Sequence, residues 1–234
     1  MKQTRGYINR ILLILMPLLF MSVGMANDIY VTQSGDTLDL DITQDGQNNT
    51  VGNSTTSSSS VGATTTLNID QIGNSNVITY AINGATYSGV INLVGNSNNV
   101  DLNCDSTGGN SSCGTANAVI NFTGSSNDID LDIGQTSSAS TADVDIVGQS
   151  GSDSNVVAAT VDGNSAILTI TVNGDTNNWL IDIDGNGDVN GHTLIHTHTG
   201  GIADVDIVQS GINDQYINMT TSGDNHDIDI SQTD

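Results

Sequence analysis

From Asn27 onward the chain alternates apolar and polar residues with a period of two, and it breaks that alternation at regular points. The clearest passage is Leu67–Ile82, LNIDQIGNSNVITYAI. Leu67, Ile69 and Gln71 alternate with polar neighbours, the pattern of a strand buried on one face. Gly73 interrupts the pattern, and Asn76 restarts it with Ile78, Tyr80 and Ile82. Glycine reaches positive φ without steric cost, and Asn tolerates the same region. The passage therefore predicts strand, turn, strand.

The unit recurs. Two and four residues before a turn glycine stand Gln33 and Val31 (Gly35), Gln44 and Ile42 (Gly46), and Gln71 and Ile69 (Gly73). The same positions hold Leu93 and Ile91 (Gly95), Phe122 and Ile120 (Gly124), and Ile146 and Val144 (Gly148). They hold Val172 and Ile170 before Gly174, and Gln209 and Ile207 before Gly211. Three residues past the turn glycine, Asn stands at Asn49, Asn76, Asn98, Asn127 and Asn177. Gly73, Gly84 and Gly95 lie 11 residues apart, as do Gly163, Gly174 and Gly185. Two half-units thus make a repeat that cannot bury its own apolar face, whereas stacked copies can.

The fold expected is all-β: a β-solenoid of about seven two-stranded coils with ~22-residue repeats. The coils fall near 29–52, 67–88, 90–103, 118–133, 142–166, 167–184 and 203–232. Four excursions separate them: 53–66, 104–117, 135–141 and the Gly- and His-rich stretch 185–201. The residues named before each glycine, Ile69 and Ile170 among them, should face inward. So should the residues two, four and six past each Asn. Aspartates then fall outside, including Asp101, Asp130, Asp204, Asp206, Asp227 and Asp229. Buried amides need hydrogen bonds, and stacked Gln and Asn can bond to one another as ladders.

The first 26 residues differ in kind. Lys2, Arg5 and Arg10 precede the apolar run ILLILMPLLFMS, and Gly24 and Ala26 suit a signal-peptidase site. That run is too short to span a bilayer, so residues 1–26 are expected to be a signal peptide and 27–234 one repeat domain. An uncleaved anchor is the alternative. The whole chain carries a formal net charge of −23, and its three basic residues all precede Asn27. The 26 acidic residues, every one Asp, all follow it, so residues 27–234 carry −26. Nothing there can neutralise phosphates, which argues against nucleic acid as a partner and disfavours anionic membrane surfaces. Few aromatics and many Asn, Ser, Thr and Gly also fit a disordered chain, but a disordered chain has no reason to keep phase over eight units.

At Leu67–Ile78 the sequence resembles the curlin repeat of bacterial curli fibre subunits, Ser-x5-Gln-x-Gly-x2-Asn-x-Ala-x3-Gln. Gln71, Gly73 and Asn76 occupy its Gln, Gly and Asn positions, as do Gln44, Gly46 and Asn49. Gln33 with Gly35 and Gln209 with Gly211 match in part. The resemblance implies a stacked two-sheet solenoid that assembles into extracellular amyloid-type fibres of a biofilm matrix, with self-association or other fibre subunits as partners. The middle coils depart from it, with Leu93, Phe122, Ile146 and Val172 at the inner Gln position. The expectation is a divergent curlin-like protein, secreted or held at a bacterial cell surface and involved in adhesion.

Three other features carry candidate chemistry. Cys104 and Cys113 enclose DSTGGNSS, and a disulfide is the default in an exported chain. Asp182, Asp184, Asn186 and Asp188 resemble the first half of an EF-hand loop, with Gly187 at its sharp turn. The closing position holds Thr193 rather than a bidentate Glu. A monomeric calcium-binding surface adhesin is therefore the alternative function, and calcium the one cofactor considered. His196 and His198 share a strand face if extended, so zinc or copper is conceivable; the reading preferred is a solvated surface pair. No nucleophile elbow or HExxH pattern occurs, so no enzyme activity is expected.

Overall fold

The computed structural model describes residues 27–233 apart from 47, 53–57, 74–75, 96, 105–112, 135–140, 163–164, 186–191 and 212–214, and apart from the side chains of 58–63 and 184–185. Residues 1–26, expected from the sequence to be a signal peptide, lie outside the described residues. Among the described residues every strand pairing is parallel, and the chain is a β-solenoid. Its coil number is close to the seven expected.

Each rung has two faces. The first face stacks β1 (Asn27–Ile29), β4 (Asn49–Val51), the start of β6 (Val77–Val94), β7 (Asn99–Cys104), β9 (Asp128–Ile133), β11 (Val156–Asp162), β13 (Asn177–Gly185), β15 (Ala203–Gly211) and β17 (His226–Thr233). β2 (Thr32–Ser34) continues the first rung on that face, pairing with the start of β5 (Ser58–Ile72). The second face stacks β3 (Thr37–Asp45), the end of β5, the end of β6, β8 (Thr115–Thr123), β10 (Thr141–Gly148), β12 (Ala166–Asn173), β14 (Thr193–Thr199) and β16 (Tyr216–Ser222). The step between rungs is 22 residues from Asn27 to Asn49 and from Asn155 to Asn177. It stretches to 29 from Asn98 to Asn127, where the cysteine loop intervenes.

The alternation works as expected. Ile69, Ile91, Ile120, Ile146 and Ile170 form one inward row, each fully or almost fully buried. Trp179, Ile181 and Ile183 do the same on β13. Parallel in-register pairing places identical residue types on top of one another. One contiguous core therefore runs the length of the stack.

Three expectations need correction. Most of the 53–66 excursion is strand, because β5 begins at Ser58; its Ser/Thr composition reads as loop, yet Thr64, Thr65 and Thr66 are β-branched and Thr65 alone of the three is buried. Much of the 185–201 excursion is β14, a full rung member. Gly148 is not a turn glycine either. It ends β10 opposite Phe122 and Val172, and a Cβ there would lie 2.8 Å from the Phe122 ring. Phe122 fills the space that a side chain at 148 would occupy.

The facing assignment has a direct check. Ile69→Asp or Ile170→Asp places an unpaired carboxylate in the core at a cost of several kcal/mol, and should abolish the cooperative thermal transition. Asp70 is exposed and accepts a hydrogen bond from Asn92, 2.6 Å away. Asp70→Asn retains an acceptor there and should shift stability by no more than about 0.5 kcal/mol. Equal melting temperatures for all three variants would overturn the assignment.

Candidate functional site: amide ladders and open ends

The corner between the second face and the next first-face strand is the most constrained part of each rung. A Cβ on Gly73 would sit 1.5 Å from the Gly46 carbonyl oxygen, and one on Gly223 equally close to that of Gly200. At these corners glycine lets one rung's carbonyl approach the next, and Gly174 stands in the same way against the Ser152 carbonyl. The residue before the corner Asn is left-handed, as at Ser97, Ser126 and Thr176 (φ 62°, 61° and 58°). The Asn side chain closes the turn: Asn98, Asn127 and Asn177 donate from Nδ2 to the carbonyls of Gly95, Gly124 and Gly174 at 2.8–2.9 Å.

The same amides join the rungs. Asn98 donates from Nδ2 to Oδ1 of Asn127 at 2.8 Å, Asn127 to Asn155 at 2.9 Å, and Asn155 to Asn177 at 3.0 Å. The backbone N–H of each donor residue reaches the same oxygen. Asn49 accepts from Asn27 at 2.9 Å and donates to the carbonyls of Gln44 and Ile72. Asn76 is buried in the same row, and its side-chain amide has no hydrogen-bond partner among the described residues. Asn155 was not expected in this row. The turn before it is longer, and Ser152 takes the glycine place, accepting from Asn155 Nδ2. The ending Ser-Asp-Ser-Asn at 152–155 parallels Gly-Ser-Ser-Asn at 124–127, the signal that marked it.

Glutamine ladders sit towards the two ends. Gln71 donates to Gln44 Oε1 at 2.6 Å on the second face. Gln232 donates to Gln209 at 2.8 Å on the first. Gln44 also donates to the carbonyls of Asn27 and Thr50, and Gln209 to that of His192. Gln33, on β2, is half-buried and donates to Thr37 O at 3.4 Å. Beyond Gln71 its row continues through Leu93, Phe122, Gly148 and Val172 to His198, whereas the Gln209 row is preceded by Ile183, Val161 and Ile133.

The histidines correct the surface reading. His196 and His198 are completely buried, in the rows of Ile170 and Val172. His196 stacks edge-on to Trp179 (5.3 Å between centroids), and His198 edge-on to His226 (5.2 Å). Neither ring nitrogen of His196 or His198 has a hydrogen-bond partner among the described residues. A neutral imidazole tolerates an apolar row, and the intervening Thr193, Ile195, Thr197 and Thr199 supply β-branched strand residues. Burial, aided by neighbouring His198, pushes His196 down to about 4. Burial and His226 also lower His198, against an opposing pull from Asp175.

Outward aspartates are partly interleaved with amides. Asn68 donates to Asp41 at 2.8 Å and Asn92 to Asp70 at 2.6 Å. Direct carboxylate neighbours occur at Asp101/Asp130, Asp204/Asp227 and Asp206/Asp229. Partial burial raises the Asp130 pKa, and Asp132, Asp101 and Asp128 raise it further. Cys104 and Cys113 are bonded and buried. Asp182 is exposed on β13, while the Asp184 side chain, Asn186 and Asp188 lie outside the described residues. No group of three or more metal-ligating side chains gathers among the described residues. No helix among them is long and apolar enough to cross a membrane.

Comparison of the chain with protein-family models, with curated proteins and with solved structures finds no match.

The buried His196 links stability to pH. Its folded-state value lies below the ordinary 6.5, so the unfolded chain binds the extra proton. Stability from this group is complete above pH 6.5 and is lost as pH falls towards 4. The loss should approach roughly 3 kcal/mol. Denaturant unfolding of His196→Met should show that much less acid sensitivity than the native chain. Parallel pH profiles for the two would show that His196 does not titrate as its burial requires.

Proposed function

We propose that the chain is a structural subunit that self-associates end to end into β-stacked fibres, acting outside the cell in adhesion or matrix formation. One observation carries this reading. Among the described residues the core rows are closed along the stack but open at its ends. Ile230 is 49% exposed and Ile228 36%, although Ile207 and Val205 one rung below are buried. Ile29, Leu38 and Leu40 at the other end, and Ile217 and Met219, are only partly covered. Terminal parallel strands present unpaired N–H and C=O groups, which template pairing with another chain. The partial match to the curlin repeat at Gln44–Asn49 and Gln71–Asn76 supports the same reading.

The rival is a monomeric calcium-binding adhesin, favoured by the paired outward carboxylates. Two carboxylates about 5 Å apart in water repel by roughly 0.8 kcal/mol, and no Lys or Arg after Asn27 offsets it. Protonation or a bridging cation removes the repulsion, and calcium favours arrays of carboxylate oxygens. Light scattering and electron microscopy of the purified chain should show fibres forming faster with calcium at pH 7.5, or near pH 4, than in low-salt chelator at pH 8. The calcium arm separates charge neutralisation from histidine protonation. Monovalent salt at equal ionic strength should help less, because it screens without bridging. A calcium-binding chain that stays monomeric in every condition would favour the rival.

A further inference from the structure

The end of each second-face strand returns to the start of a first-face strand, so the two faces run in opposite directions and a half turn about the solenoid axis would exchange them. On both, a Gln row lies two residues before a corner glycine: Gln44 before Gly46, and Gln209 before Gly211. Contacts across the core join the later part of a second-face strand to the start of a first-face strand, as faces that run in opposite directions allow. Trp179 on the first face meets His196 on the second, and His198 on the second meets His226 on the first. Among the described residues, however, the first and last strands of the stack lie on one face. β1 and β2 open it on the first face, and β17 closes it there, with β16 the last strand of the second.

This odd half-rung decides how a second copy fits. An unrotated copy would lay its β1 and β2 on β17. Its β3 would then stand two strand spacings above β16, across a slot one strand high, about 4.8 Å. Ile217, Met219 and the facing backbone groups would be left around that slot without partners, a cost that native β-structure avoids. A copy turned by half a revolution closes both faces and keeps every pairing parallel.

We propose that successive copies stack head to tail with a half turn between them, β3 of the incoming copy pairing with β17 and its β1 and β2 with β16. The inference rests on the self-association proposed above and specifies its interface. The rows then match in kind. Incoming Gln44 falls on Gln232, which joins the Gln209–Gln232 ladder to the Gln44–Gln71 ladder. Incoming Ile42 and Leu40 cover Ile230 and Ile228, and Ile29 covers Ile217. On the outer surface, incoming Asp39 and Asp41 stand over Asp227 and Asp229, themselves stacked on Asp204 and Asp206. Two rows of three carboxylates therefore meet at each junction, which places the acid- and calcium-sensitive step at the interface.

Cysteine pairs report the register. Thr43, Ser231 and Thr32 are all exposed. In the half-turn register Thr43 of one copy stands opposite Ser231 of the next, at a strand spacing that a disulfide spans. In the unrotated register Thr32 takes that place. Thr43→Cys/Ser231→Cys and Thr32→Cys/Ser231→Cys chains would be assembled with calcium at pH 7.5 and mildly oxidised. Non-reducing gels should show a ladder of covalent oligomers for the first variant, at least tenfold more than for the second. Fibres in which the second cross-links, or in which neither does, would overturn the half turn and leave fibre formation standing. A chain that sediments as a monomer under calcium and acid alike, as it would if residues 1–26 covered the first rung, would overturn both.

Discussion

Everything in this structure depends on the approach of one corner to the next. A glycine carbonyl lies where the next rung's Cβ would be, at Gly46 against Gly73 and at Gly200 against Gly223. Such contact fixes the rise between rungs. The asparagine three residues later fixes the register, because its amide closes its own turn and accepts from its neighbour. A slip by one residue would turn the inward isoleucines outward. The corner thus sets the register, the register aligns the isoleucine rows, and the rows make the core. Corner geometry, more than strand propensity, holds together a chain so rich in Asn, Ser, Thr and Gly.

The same stacking sorts polar groups by their ability to self-associate. Amides are both donors and acceptors, so identical copies can bond to each other inside the stack. Carboxylates only accept, so identical copies repel, and apart from Asp162 the described aspartate side chains lie outside. Part of that repulsion is relieved by Asn partners, as Asn68 for Asp41 and Asn92 for Asp70. The rest remains at Asp101/Asp130 and in the Asp204/Asp227 and Asp206/Asp229 pairs. The last two lie at the same end of the stack as the buried His198 and the half-buried His226. Inside that end, burial and His226 disfavour the charged form of His198.

The period-two pattern and the Gly-x-x-Asn corner made much of this legible. They gave the inward positions of Ile69, Ile170, Gln44 and Gln71, and the buried rows at Asn49, Asn98, Asn127 and Asn177. What they missed has physical causes. Asn155 escaped because its turn has a different length and a serine at the glycine place. Gly148 misled because a glycine can also mark a site where a large neighbour, here Phe122, needs room. His196 and His198 lie in a stretch that reads by composition as a polar loop; only the alternation of Leu194, His196 and His198 with β-branched residues reveals a strand. The half-rung at the end of the stack follows from which face each strand occupies, and residue spacing alone does not contain it.

The claim that corner amides couple neighbouring rungs is open to a double-mutant cycle in denaturant unfolding. Asn127→Ala leaves the turn at Gly124 open and the amide of Asn155 without its donor, and Asn155→Ala does the converse. If the ladder registers the stack, the double variant should lose less stability than the two single variants added together, by about 1 kcal/mol or more. Additivity to within about 0.3 kcal/mol would mean that the amides act rung by rung, and would contradict the account.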